Sequence, residues 1–162
     1  MEILQFELVD LPAYRAIGLT WEGPYTEVPE LKRLIEKMSQ RIGELKGALK
    51  PELQLGLSYH VRPDGFLHYS VYEVKSDQIV PKDMIEINIP AMTYFKTHHR
   101  KGENIGHTYH HIYQWFKDSD YKPYRDPDVK YFDDLPIKHE RYPFDRDLED
   151  PHFDILIPVV KK

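Results

Sequence analysis

The sequence predicts an α+β protein: duplicated β-α-β-β units that form an antiparallel sheet, with two helices packed on one face and a pseudo-two-fold cleft between the halves. A Pro-Ala pair occurs at Pro12 and again at Pro90, and each opens a segment that leads into a helical pattern. The apolar positions of the two helical patterns share one spacing, at a constant offset of 78 residues. Because a repeat of this length decides the architecture, we expect a single domain over residues 1–162, with repeats at about 1–80 and about 81–162.

The first half alternates between strand and helix patterns. Pro12 has no backbone N–H and should lie at a strand start or bulge. Thr26 is a candidate N-cap, with Pro29 in the first turn of the helix that follows. Pro63-Asp64-Gly65 predicts the turn of a hairpin. Apolar spacing and alternation predict a helix over 31–42, on Leu31, Leu34, Ile35 and Met38, and strands over 4–9, 13–21, 53–61 and 66–75.

The second half repeats this order with one departure. A connection of about twenty residues, Lys117 to Pro136, is rich in Pro, Asp and Tyr. Loops of that length are uncommon in compact domains, so this one is either a functional lid or a tolerated surface insertion. The predicted elements are extended chain over 84–98, interrupted at Pro90, a helix over 104–116, on Tyr109, Ile112, Tyr113 and Phe116, and strands over 138–142 and 153–159.

Composition excludes several classes of function. The chain has no cysteine, which excludes disulfides, zinc ribbons and thiol nucleophiles and fits a cytoplasmic protein. The net charge is −5, and the basic residues are scattered among acidic ones, which argues against direct binding to nucleic acid. No apolar run is long enough to span a bilayer, so we expect no membrane association.

Histidines are frequent around the second helix. His107, His110 and His111 share one side of it, and a pair at i, i+4 can bind a divalent metal. The apolar stripe of that helix lies on the opposite side, and no Glu completes an H-E-x-x-H pattern. We therefore predict a solvated histidine face rather than a metal site, and we expect no cofactor.

Glu140 is the candidate functional carboxylate. Aligning the repeats by eye matches Tyr142 to Tyr59 and Glu140 to Leu57, which would put a carboxylate at a core-facing position of the second copy. Burial raises the pKa of such a group, which can then bind a cationic or hydroxyl-bearing ligand or act as a general acid or base. The alternative is a surface residue paired with Arg141 or a lysine.

Aromatic side chains supply the candidate walls of the cleft. The chain has 12 tyrosines and 2 tryptophans, and their faces can bind flat or cationic molecules. Ordinary core packing is the competing interpretation, and the stronger one for helix-stripe residues such as Tyr113. The candidate ligand-binding residues beside Glu140 are Trp21, Tyr72, Tyr94, Tyr113, Trp115 and Tyr142.

Several segments together resemble the GyrI-like small-molecule-binding family. They are 11–18 and 89–95, the paired Pro-Ala strands, then 113–116, 140–142 and the closing strand 154–159. This family includes effector-binding domains of AraC-type and multidrug-responsive MerR-type transcription regulators. The resemblance implies a cleft for amphipathic, often cationic, molecules, contacted by a buried glutamate at Glu140 and by aromatic walls at Tyr94, Trp115 and Tyr142. Met92 stands where the family usually has Gly, and the gap before Glu140 is longer than usual.

Three hypotheses follow from this resemblance. The first is a stand-alone small-molecule-binding protein, regulatory or protective, without a DNA-binding domain of its own. The second is a hydrolase of cyclopropane-bearing toxins that uses Glu140 as acid or base. The third is a protein-interaction module, similar to the gyrase-inhibitory member, whose partner would be a regulator or gyrase.

Overall fold

The structure is a computed structural model that describes residues 5–162, so the predicted strand start at Leu4 lies outside the described residues. It has nine strands and two α-helices in this part of the chain. The strands are β1 (Phe6–Leu11), β2 (Tyr14–Pro24), β3 (Leu53–Arg62), β4 (Gly65–Val74), β5 (Ile85–Ile89), β6 (Met92–His99), β7 (Tyr121–Pro123), β8 (Ile137–Pro143) and β9 (Phe153–Lys161), and the helices are α1 (Val28–Gln40) and α2 (Ile105–Asp118).

All strands belong to one antiparallel sheet, which confirms the predicted fold class. The order is β1-β6-β9-β8-β3-β4-β2-β5, and β7 pairs with β9 outside this path. The central pair is β3 and β8, one strand from each half. Outwards from this pair the order is β4, β2 and β5 on one side and β9, β6 and β1 on the other, so the two sides correspond strand by strand. The edge strands are exchanged: β1 pairs with β6 of the second half, and β5 pairs with β2 of the first.

Both helices pack on one face of the sheet. Under α1, Met38 packs with Ile17 of β2 and Tyr72 of β4. Under α2, Ile112 packs with Phe95 of β6 and Ile155 of β9. The two helices thus cover opposite ends of this face, and the β3–β8 pair runs between them.

The other face of the sheet carries a separate apolar cluster, which includes Leu55, Leu57 and Val71. Tyr94 is also on this face, because its neighbour Phe95 points to α2 and successive side chains of a strand alternate. The sheet is therefore covered on the helix side by α1 and α2 and on the other side by its own aromatic and aliphatic side chains.

Two local predictions need correction. Thr26 is not the N-cap of α1: a 3₁₀ turn, Tyr25–Glu27, precedes the helix, and Glu27 takes the cap position without a side-chain hydrogen bond. The connection 117–136 is not unstructured along its whole length, since it contains β7. Its far end is also bound to the sheet, because the backbone N–H of His60 donates to Pro136 O at 2.9 Å.

Candidate functional site

The candidate site lies on the helix face, above the β3–β8 pair. Glu140 of β8 is directly opposite Gly56 of β3. Gln54, two residues earlier in β3, donates from Nε2 to the backbone oxygen of Ile35 in α1 at 3.0 Å. Tyr109 of α2 contacts Glu140 from the other side. Glu140 and Gly56 therefore lie on the sheet between the two helices, where the predicted cleft would have its floor.

Glu140 is held by two tyrosine hydroxyls. The Tyr109 hydroxyl donates to Oε2 at 2.6 Å, and the Tyr142 hydroxyl donates to Oε1. Burial raises the pKa of Glu140, while the two hydroxyl donors and the nearby Lys138 ammonium act to lower it. The residue is half-buried, and its carboxyl group is withdrawn from bulk water.

Gly56 leaves room for two rings on the floor. A Cβ built on Gly56 would lie 2.8 Å from Cε2 of Tyr142 and 3.0 Å from Cε1 of His68. Any larger residue would therefore push these rings away from β3. The glycine brings the rings of Tyr142 and His68 to the same spot beside Glu140.

His68 offers a free polar atom at this spot. Its side chain is buried, and its Nδ1 is 2.8 Å from Ser58 Oγ. Within the part of the chain that the structure describes, Nε2 has no hydrogen-bond partner. Burial lowers the pKa of His68 to about 4, so the ring is neutral near pH 7. This nitrogen is therefore a buried polar atom whose hydrogen-bonding capacity is unused among the described residues.

Lys138 and its partners line one side of Glu140. The Lys138 ammonium donates to Nε2 of His60 at 2.9 Å and is 3.5 Å from Oδ1 of Asp133, in the long connection. It also lies 5.3 Å from the centre of the Tyr109 ring. Burial lowers the pKa of Lys138, and Asp133 and Glu140 oppose that shift.

An aromatic group continues the floor under the N-terminal end of α1. The Trp21 ring is 5.4 Å from that of Phe66, which in turn lies 5.7 Å from Tyr25. Phe66 is also 5.3 Å from His60. These rings give the cleft an apolar end next to its polar centre.

The structure brings only some of the predicted residues together. Glu140 and Tyr142 are in direct contact, and Trp21 shares their face on β2, opposite His68 of β4. Tyr113 follows Tyr109 by one turn on the same side of α2, and its ring also packs near Lys117. These placements agree with a shared cleft, and their role in binding stays a prediction.

Three predicted residues lie elsewhere. Tyr94 is on the opposite face of the sheet, with His139 at 5.6 Å between ring centres. Trp115 packs outward, against Phe6 of β1 at 4.9 Å. Tyr72 is buried in the core under α1. Alternation along a strand explains the position of Tyr94, and rotation around a helix explains that of Trp115. Tyr72 is on the helix face, but α1 covers it.

The alignment of Glu140 with Leu57 is wrong, because the two side chains lie on opposite faces of the sheet. Glu140 pairs with Gly56 and lies under α2, whereas Leu57 pairs with His139 and belongs to the cluster on the other face. Side chains alternate between the faces of a strand, so an alignment that is shifted by an odd number of residues equates side chains of opposite faces.

Sequence reasoning missed several polar neighbours of Glu140. The sequence places Tyr109 in the apolar stripe of the helix and does not single it out, although its position one turn before Tyr113 is compatible with contact to a strand. Lys138 precedes Glu140 by two residues, which puts both side chains on one face. His68 carried no sequence signal beyond its place in an alternating strand.

The histidines of α2 are placed as predicted. His107, His110 and His111 are all exposed, on the side of α2 away from the sheet. Among the described residues, no three His, Cys, Asp or Glu side chains converge closely enough to hold a metal ion. In the same part of the chain, no helix is long and apolar enough to cross a lipid bilayer.

The fold defines a class: α+β domains in which two helices lie on one face of a single antiparallel sheet. Residues 4–159 match the GyrI-like small molecule binding domain, and the chain belongs to this family. No match was found among curated proteins.

Solved structures share this fold at low sequence identity. EcmrR in complex with DNA has a TM-score of 0.70 and 17% identity, over 98% of this chain and 58% of the EcmrR chain. The EcmrR C-terminal domain alone gives 0.69 and 17%, over 99% of this chain and all of that one. This chain thus spans little more than half of full EcmrR.

Two further structures are similar over nearly the whole length. SAV2435 bound to tetraphenylphosphonium has a TM-score of 0.66 and 12% identity, over 97% of this chain and 94% of that one. A hydrolase from Listeria innocua has a TM-score of 0.60 and 11% identity, over 96% of this chain and 92% of that one. At such low sequence identities, the similarity to these structures shows a shared fold only.

Proposed function

We propose that this protein binds an amphipathic organic molecule in the cleft between α1 and α2 and thereby acts in regulation or protection. The observation that carries the proposal is the half-buried carboxyl group of Glu140, held between the two helices by the hydroxyls of Tyr109 and Tyr142. Burying a carboxyl group costs free energy, and the two tyrosine hydroxyls offset part of that cost by hydrogen bonding to it. They also hold the carboxyl group in one orientation, in which a polar group of a ligand can bind to it.

The surroundings of Glu140 fit a ligand with one polar end and one apolar end. Nε2 of His68 supplies a second hydrogen-bonding atom on the floor. The rings of Trp21 and Phe66 supply apolar surface a short distance along the same face. Pockets for organic ligands commonly combine aromatic walls with a few placed polar groups. The tetraphenylphosphonium bound to SAV2435 is an apolar molecule with a single charge and serves as a first probe.

Ligand binding is tested by calorimetry and thermal shift with a panel of hydrophobic cations and uncharged amphipathic compounds. A ligand that binds only the folded protein raises the melting temperature. We expect Glu140→Gln to weaken the binding of the best ligand about tenfold or more. The reason is that a charge-assisted hydrogen bond between residue 140 and the ligand becomes a neutral hydrogen bond.

The control is Glu103→Gln, which removes an exposed carboxylate in the turn before α2. It should leave the dissociation constant unchanged. If no compound binds, or if the two variants weaken binding equally, the cleft is not the binding site.

A hydrolase is the second candidate, and the environment of Glu140 favours it. A carboxyl group with a raised pKa, beside the neutral imidazole of His68, can deliver or accept a proton in a partly dry cleft. The similar fold of the Listeria innocua hydrolase makes the comparison worth testing. Conversion of a cyclopropane-bearing substrate, followed by mass spectrometry and abolished in Glu140→Gln, would support this role, whereas an intact substrate would count against it.

A further inference from the structure

Lys138 is surrounded by the groups that a cleft uses to hold a cation. Its ammonium lies 5.3 Å from the centre of the Tyr109 ring, whose hydroxyl is bonded to Glu140. The carboxylate of Asp133 is 3.5 Å from the same ammonium. An aromatic ring flanked by carboxylates is the arrangement that binds ammonium groups in proteins.

His60 fixes the ammonium in that position. Nε2 of His60 accepts from Lys138 at 2.9 Å, which places the imidazole proton on Nδ1, 3.1 Å from the hydroxyl oxygen of Tyr25. Burial and the neighbouring Lys138 lower the pKa of His60 to about 4, so the ring is neutral and accepts near pH 7. Lys138 is thus tied to an element outside β8, with its side chain only 17% exposed.

We propose that Lys138 sets the charge preference of the cleft: its ammonium takes the place beside Glu140 and Tyr109 that the charge of a cationic ligand would occupy. The inference rests on the proposed function and specifies its ligand class. A permanent cation in the cleft meets a like charge and has to share Glu140 with it. An uncharged amphipathic molecule keeps the Lys138 contacts and still reaches Glu140 and Nε2 of His68.

The arrangement acts on specificity through repulsion. A binding site discriminates by penalising the wrong partner as well as by attracting the right one. Here the penalty falls on molecules such as tetraphenylphosphonium, whose charge cannot be lost by deprotonation. Removal of Lys138 leaves the aromatic ring and the carboxylates free for an external cation.

The test compares two probes of similar shape on matched variants. Tetraphenylphosphonium carries one positive charge, and triphenylphosphine oxide is neutral. Dissociation constants for both are measured by calorimetry at one ionic strength for the wild type, Lys138→Met and Lys138→Arg. Lys117→Met is the matched control, because Lys117 lies at a similar distance, 5.4 Å, from the ring centre of Tyr113 and is exposed.

We expect Lys138→Met to bind tetraphenylphosphonium about tenfold more tightly than the wild type does, with triphenylphosphine oxide changed less than about twofold. Lys138→Arg and Lys117→Met should keep the wild-type ratio of the two constants. Lys138→Gln, which can still hydrogen-bond to His60, serves as a second uncharged variant if the methionine variant melts early.

Two outcomes would overturn the inference in distinguishable ways. If the probes bind but their ratio is the same in the wild type and in the uncharged variants, or if Lys117→Met gives the same gain, Lys138 does not set the preference. If neither probe binds any folded variant, the cleft does not bind such molecules, and the proposed function fails together with this inference.

Discussion

Glu140 takes its chemical character from neighbours on its own strand and on three other elements. Tyr109 comes from α2, Tyr142 and Lys138 from its own strand, His68 from β4, and Gly56 leaves the space that the rings fill. The carboxyl group would be an ordinary exposed strand residue without the helix that covers it. The presence of a glutamate in the sequence therefore indicates the candidate site only weakly. The neighbours that surround the glutamate in the fold indicate the site more strongly.

The buried histidines predict how stability depends on pH. His68 folds as a neutral ring with its pKa lowered from 6.5 to about 4. Between pH 6.5 and pH 4 the unfolded chain binds a proton at His68 more readily than the folded protein does. The contribution of His68 to the free energy of unfolding is therefore complete above pH 6.5 and is lost as the pH falls towards 4. We expect this group to reduce the free energy of unfolding by roughly 2 kcal/mol between pH 7 and pH 4.5, measured by urea denaturation.

The variant His68→Gln isolates that contribution. It should show a smaller loss of stability over the same interval than the wild type does. His60 and His139, whose pKa values burial also lowers, to about 4 and about 3, act in the same direction in both proteins. Glu140, whose pKa is raised, acts in the opposite direction. His110→Gln, at an exposed site on α2, should keep the wild-type slope, and an equal slope in His68→Gln would contradict the assignment.

At the scale of elements, α2 begins at a well-defined cap. The side chain of Asn104 accepts from the backbone N–H of His107 at 3.1 Å. Because Tyr109 is only one turn further along, the start of α2 positions the hydroxyl that holds Glu140.

We expect Asn104→Ala to lower the free energy of unfolding by about 1 kcal/mol, since it leaves a helix N–H without its side-chain partner. Urea denaturation monitored by circular dichroism measures this change. Asn104→Asp keeps an acceptor at the cap and should stay within about 0.5 kcal/mol of the wild type. Equal losses in both variants would show that the cap contributes nothing.

The long connection 117–136 behaves as an element in its own right. Its strand β7 pairs with the C-terminal end of β9, and the backbone N–H of Phe132 donates to His60 O at 2.9 Å. It also brings Asp133 to Lys138. The connection, which the sequence predicts to be a lid or an inserted loop, is attached to the sheet and places one negative charge beside Lys138.

At the scale of the whole molecule, the exchanged edge strands join the two halves. β1 completes the second half and β5 completes the first, while β3 and β8 pair across the centre. Each half alone would expose the strand edges and apolar surface that the other half covers.

We therefore expect fragments 1–80 and 81–162 to be unfolded when they are expressed separately. Circular dichroism and amide exchange test this expectation, and the intact chain should unfold in one cooperative transition. A fragment that folds alone with protected amides would show that the repeat is an independent unit.

The sequence by itself determined the fold class, because the strand and helix periods and the repeated Pro-Ala segments depend only on local spacing. It also determined that Glu140 is a candidate carboxylate, through the family resemblance. Only the tertiary structure decided which side chains meet it. The register of β3 against β8, the rotation of α2 and the path of residues 117–136 are set by packing between distant segments, so Gly56, Tyr109 and Lys138 enter the site while Tyr94 and Trp115 leave it.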